Sequence, residues 1–397
     1  MPKLPSRVAF SGSVVGGLAA LLVLTAGLAW AAAPTVVFKQ TINPPATSSF
    51  DISFVKNDVG AYILADRTNN AVDLFNAAAP SFTGGIGSGG FVGNHPACAV
   101  FRACSGPNGV LIDNNNHVWA GDGPAADCST ADCRCFPNET QSMVKEYTLA
   151  VSSGATGRLA CLDTGGNFRA DEMAFDPRDN FLLVANDADG FLSLIQTAGT
   201  PAIVDQFFYA DNDVGKPASA RGLATAGGGI EQPVWNPQQG FFYQAIPQGT
   251  TVGRIDIFNP KPGKLVYLRS IDVPNCTGGP TGLAIDPATR QLLGACGNGA
   301  ALIDANSGRV SIIGSAATTG GADEIWFDPG SNAWYLGISS PPQLGVVSAG
   351  PDHAVQDATQ AGCCGHSVAA YTASATQSYV FDPNSTGTGI SVFSATP

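Results

Sequence analysis

Seven polar side chains in this 397-residue sequence invite a chemical reading, because they recur at one place in seven related stretches. They are Asp51 in FDISFVKN (50–57), Asn108 in PNGVLIDN (107–114), Asp171 in ADEMAFDP (170–177), Glu231 in IEQPVWNP (230–237), Thr281 in PTGLAIDP (280–287), Asp323 in ADEIWFDP (322–329) and His366 in GHSVAAYT (365–372). Carboxylates gathered at one level repel each other, and burial makes this worse. A bound cation removes the conflict. Carboxylates with an amide oxygen suit calcium best; an imidazole keeps zinc, manganese or iron open. A divalent metal is therefore expected, held by three or four of Glu231, Asn108, Asp171, Asp323, Asp51 and His366. Such an ion polarises a carbonyl or activates water. Asp171 and His366 are then the catalytic candidates, with His366 either a further ligand or the general base. The other reading of the same ring has its polar groups bonding neighbouring backbone, holding the units in register around a wet channel.

The elements that must position these residues are short strands. After each stretch and a tight turn comes a second apolar run, such as AYILAD, FLLVAND or AWYLGI, then a third, such as AVDLFN or GRIDIFN. Most units add a fourth. Period-two strands broken by Gly, Asp, Asn and Pro turns, at a repeat of roughly 42–63 residues, mark propeller blades. The expected fold is all-β: a seven-bladed β-propeller with four-stranded blades. The last unit ends after its third strand. TVVFKQTI (35–42) has no unit of its own, so this N-terminal strand is expected to close the last blade and leave no open edge. The first strand of each blade lines the central channel, which puts the seven polar residues at one mouth. The tight links DPRDN, NPQQG, DPATR and DPGSN fall at the other face. The long connections 77–106, 123–142 and 350–364 fall at the ring's face, where binding loops belong.

ADRTNNAVDLF (65–75), PNGVLID (107–113) and PTGLAIDP (280–287) resemble NHL-repeat propellers. EQPVWNP (231–237) resembles the E-G-P-x-W strand start of the gluconolactonase and senescence-marker-protein family, with Gln232 in place of the glycine. The general pattern covers nearly all of the chain after its N-terminal segment; the lactonase motifs cover two short stretches. The resemblance implies calcium- or zinc-dependent lactonase chemistry, with metal ligands at Glu231 and Asn108. That family has six blades, and its P-D-G aspartate is Thr281 here. Asp171, Asp323 or His366 would have to substitute for the missing ligand. Virginiamycin-lyase-like propellers use a related architecture, so hydrolase and lyase both fit.

Residues 1–31 read as a signal peptide, with Lys3 and Arg7 before an apolar run and an A-x-A site at Ala29–Ala31. Residues 32–397 read as one propeller domain, secreted or periplasmic, with no membrane span after signal removal. The formal charge of −12 lacks the footprint of a nucleic-acid binder. A monomer acting on or binding a small molecule is expected. The alternative is a non-catalytic propeller that binds a small molecule or an exported protein; a quinone dehydrogenase would need basic and aromatic channel contacts that the sequence does not locate. The ten cysteines suit an oxidising compartment. Cys276 and Cys296 flank two adjacent strands and could bridge. Cys98 and Cys104 share a loop, and Cys128, Cys133, Cys135 and Cys161 cluster. Cys363 and Cys364 could pair with each other or with separate partners. GIGSGG (85–90) lacks the strand–helix setting of a nucleotide loop. No serine-hydrolase elbow, zincin helix or haem-attachment motif is present.

Overall fold

The computed structural model describes residues 33–94, 104–128, 130–136, 138–219, 222–360 and 362–397. All of these lie in the compact unit Ala31–Pro397. The signal-peptide segment 1–31 and Cys98 lie outside the described residues.

Seven four-stranded antiparallel sheets make up the unit, six of them in simple sequence order. The seventh is the closing blade: Thr35–Ile42 pairs with Ile390–Thr396, which pairs with Gln377–Pro383 and then Ala369–Ser374. The seven-bladed ring and its N-terminal closing strand are as the repeats require. A 3-10 turn at Ala125–Asp127 is the one helical segment among the described residues.

Each tight turn at the end of a first strand is built by one side chain. Asp176 Oδ1 accepts the Arg178 N–H at 2.9 Å, Asn236 Oδ1 accepts Gln238 N–H at 3.0 Å, and Asp286 Oδ1 accepts Ala288 N–H at 2.8 Å. The following proline presets φ for the next turn position. This explains the recurring D-P and N-P pairs. The turns close with a left-handed residue: Asn180 (φ 57°), Gly240 (φ 71°), Arg290 (φ 63°) and Asn332 (φ 52°).

Apolar side chains pack between the faces of adjacent blades. Tyr62 of blade one stacks on Phe381 of blade seven, with ring centroids 4.5 Å apart, so the closing seam is as well packed as the others. Near the axis the seven first strands crowd, and glycine permits it. A methyl group on Gly282 would lie 1.9 Å from the Asp323 carbonyl oxygen; one on Gly109 would lie 2.1 Å from that of Asp171. Gly282→Ala must push the first strand of blade six outward. It is expected to cost about 1–3 kcal/mol, as overpacking does, read as a lowered midpoint in urea. An unchanged midpoint would mean the blades are looser than they stand here.

Candidate functional site

The ring residues do come to one mouth of the channel, but two arginines come with them. Arg67 follows the second strand of blade one. Its guanidinium pairs with Asp51, and it donates to Asn108 Oδ1 from Nε (2.9 Å) and from a terminal nitrogen (2.7 Å). The Asn108 amide in turn donates to the Ser105 and Ala170 carbonyls, at 2.8 and 3.1 Å. The cation facing Asp51 and Asn108 is thus a guanidinium, and both are engaged by it. Arg169 pairs with Asp171 and lies 3.7 Å from Asp187, at the end of the second strand of blade three. Thr281 bonds the Ala322 carbonyl at 3.0 Å, a register contact between blades five and six.

Acids outnumber these cations. Asp51, Asp171, Glu172, Asp187, Glu231 and Asp323 influence one another electrostatically, against Arg67 and Arg169. Burial would raise Asp51, but Arg67, His366 and Arg169 outweigh it and hold the carboxyl well below its usual range. The others go the opposite way. Burial pushes Asp171 up to about 7 despite Arg169. Burial, then repulsion from Asp171, Glu231 and Asp323, drives Glu172 well above the carboxylate range; burial with Asp187 and Asp323 does the same to Glu231. Asp187 and Asp323 are raised by burial as well. Two oxygens in this cup, Asp171 Oδ1 and Glu172 Oε2, are buried and lack any hydrogen-bond partner.

His366 stands beside Asp51, Nε2 to Oδ1 at 3.5 Å, with its ring stacked on Phe50 at 4.7 Å. A carboxylate behind an imidazole and a flat partner against its face fix the ring plane, as a general base requires. Its side chain remains 20% exposed at the mouth.

One step deeper lies a second layer. Gln232, which stands where the lactonase pattern has glycine, accepts the Leu283 and Ile325 N–H groups on one oxygen, at 2.8 and 3.3 Å. It ties blade four to five and six. Glu324 Oε2 accepts from Ser53 N–H and Oγ, Ser367 Oγ and Val368 N–H, tying blade six to seven and one. Burial pushes Glu324 up to about 8.

A different cluster meets the geometric requirement for a metal. Asp113, His117 and Glu146 could hold an ion, since one ligand atom from each lies within 4.8 Å of the others. They are the one such set among the described residues, so the mouth acids do not stand at mutual ligation distance. The trio sits at the first turn of blade two, on the face opposite the ring. Its atoms already have partners: Asp113 accepts from Asn115 N–H, His117 N–H and Trp119 Nε1, and His117 Nδ1 meets Glu146 Oε1 at 2.7 Å. An ion there would have to displace some of these.

Disulfides join Cys276 to Cys296, Cys128 to Cys133, Cys135 to Cys161 and Cys363 to Cys364. Cys104 is also disulfide-bonded. The adjacent pair 363–364 therefore bonds to itself, two residues ahead of His366. No helix among the described residues is long and apolar enough to cross a membrane.

Fold and ring together define a seven-bladed β-propeller with an acidic channel mouth. No family model and no curated protein sequence matches the chain. Among solved structures it is similar to virginiamycin B lyase from Staphylococcus aureus, at TM-score 0.57 and 10% identity over 92% of this chain and 99% of that one. A chain of the mitotic checkpoint complex aligns at TM-score 0.57 and 11% identity, over 96% and 98%. A protein of unknown function from Desulfotomaculum acetoxidans DSM 771 aligns at 0.52 and 9%, over 82% and 94%. Likeness at this identity establishes the shared fold alone.

Proposed function

We infer that this chain is an exported propeller whose acidic mouth holds a divalent cation, with calcium first and zinc, manganese or iron as alternatives, and that it acts as a hydrolase or lyase on a small substrate. One observation carries the reading: three buried carboxylates (Asp51, Asp171, Glu172) and three half-buried ones (Asp187, Glu231, Asp323) face two guanidiniums at the mouth, with Asp171 Oδ1 and Glu172 Oε2 left unpartnered. Buried charge of one sign is costly unless compensated. Glu231, Asp323, Asp171 and Glu172 stand beyond mutual ligation distance and would have to draw together to hold the ion; an all-oxygen set favours a hard cation. When bound, the ion would supply Lewis acidity to a carbonyl or ester-like oxygen. Arg67 keeps Asp51 ionised and in place. Asp51 and Phe50 orient His366, whose Nδ1 is the atom to take a proton. Arg169 limits the repulsion between Asp171 and Asp187. The disulfides and the N-terminal segment support export, and a monomer is the simplest state for a closed ring.

The test is elemental analysis after dialysis on wild type, on Glu231→Gln with Asp323→Asn, and on His117→Ala. Wild type is expected to keep close to one ion per chain, the double variant to lose it and His117→Ala to retain it. Metal absent from wild type after soaking in calcium, zinc and manganese sinks the reading. Loss only in His117→Ala moves the ion to the opposite face. A second reading, a non-catalytic binding propeller, is favoured by Arg67: it engages both Asp51 and Asn108, as a purely structural ring would.

A further inference from the structure

Below the ring the channel changes character. From the layer of Gln232 and Glu324 down to the opposite face it is an open cavity of about 460 Å³. Its walls are the first strands of six blades, with Phe54, Phe175, Val234, Trp235, Trp326 and Phe327 among the lining residues. Pro177, Pro237, Pro287 and Pro329, the prolines of the tight turns, form its outer rim. All six wall residues except Trp235 are only half-buried, although they lie at the centre of the molecule. Apolar walls of this kind hold water poorly.

The inner end is polar and incompletely used. Glu324 takes its four hydrogen bonds on Oε2, and Gln232 takes its two on Oε1. Glu324 and Gln232 line the cavity, and Glu324 Oε1 and the Gln232 amide nitrogen make no hydrogen bond within the described residues. Small-molecule sites have this composition: roughly 300–1,000 Å³, mostly apolar and aromatic, with a few fixed polar groups at one end.

We propose that the channel's proline-rimmed face is a second ligand site, separate from the acidic mouth, for a small uncharged molecule with an aromatic or alicyclic body and one hydrogen-bonding head. The body lies between Trp235, Phe175, Trp326 and Phe327. The head reaches Glu324 Oε1 and the Gln232 amide. A charged body is excluded, because no cation or carboxylate lines the walls below Glu324. A macromolecular partner would meet only the proline rim, since the first strands of six blades line the space behind it.

N-phenyl-1-naphthylamine, an uncharged fluorophore that brightens in apolar surroundings, is the probe. It is expected to bind saturably, one per chain, and to quench tryptophan emission through Trp235 and Trp326. Ala284→Phe and Val234→Phe each put a ring into the cavity from a different blade. Each is expected to weaken the probe at least tenfold; two variants are used so that one misfolding protein, detected by circular dichroism, does not end the test. Of two competitors with one body, 4-phenylbutanamide should displace the probe at least tenfold better than butylbenzene. No saturable binding, or unchanged binding in a folded filled variant, overturns the site. Equal competition by the two overturns the role of Glu324 and Gln232. Because the metal-site variants lie at the other mouth, Glu231→Gln with Asp323→Asn should leave the probe bound, so this proposal and the proposed function fail separately.

Discussion

Lys145→Met is expected to lower stability by about 3–5 kcal/mol, the usual cost of leaving one member of a buried ion pair alone. Lys145 and Asp122 are both fully buried on blade two, 2.6 Å apart. Burial pulls the lysine down and the aspartate up, and their attraction opposes both shifts. Nζ also donates to the Gly90 carbonyl at 2.7 Å and the Cys133 carbonyl at 2.6 Å, and lies over the Phe91 ring. Asp122 Oδ1 accepts the Val92 N–H at 3.2 Å. One ammonium therefore pins both long connections of this region to the blade. Methionine fills the space and removes every one of these donors. Urea denaturation measures the loss, and hydrogen exchange at Val92 should rise with it. A cost below about 1 kcal/mol would mean that water reaches the pair.

The metal-free protein is expected to be most stable in mild acid and to weaken as pH rises. Burial raises Glu324 to about 8; burial and then the nearby Asp66 raise Asp73 to about 8; burial raises Asp189 to about 6. In each case the unfolded chain surrenders its proton at lower pH than the folded one. The stability these protonated groups contribute is complete below ordinary carboxylate values and is lost as pH climbs through 6 to 8. Asp51, held low, works in the opposite sense: its contribution is present above the ordinary aspartate value and fades as pH falls below it. A maximum near about pH 4–5 follows. At ~1.4 kcal/mol per unit, Glu324 alone accounts for on the order of 5 kcal/mol between that maximum and alkaline solution. Melting in EDTA from about pH 5 to about pH 8.5 would show it, and a flat profile would contradict the burial of these acids. Added calcium should stabilise more as pH rises, since ligands bind ionised.

Much of this architecture is written in the sequence. The blade count follows from the recurrence of one strand–turn pattern, and the closing strand follows from TVVFKQTI having no unit of its own. Cys276 and Cys296 were legible because they flank neighbouring strands. The electrostatics of the mouth were not. Arg67 neutralises Asp51 from the end of a second strand, a position that no alignment of first strands inspects. Arg169 left a fainter trace, as the one basic residue within two positions ahead of a ring residue. Gln232, Glu172 and Glu324 occupy the place after the ring position. Their roles depend on which neighbouring backbone they reach, and periodicity does not encode that. The lower channel was hidden for a similar reason: Val234 and Trp326 read as ordinary core residues until the curvature of the ring leaves space between them.

The closing blade has a consequence for how the molecule comes into being. Thr35 pairs with Thr396, 361 positions away. At ~5–20 residues per second, the first strand made waits on the order of tens of seconds for its partner. Through that time Thr35–Ile42 is an unsatisfied edge, and the other six blades can form without closing the circle. Completion is therefore a late event that waits for Ile390–Thr396. A chain cut short by a few residues would leave a nearly finished ring with two sticky ends, each able to pair with the complementary end of another unfinished chain.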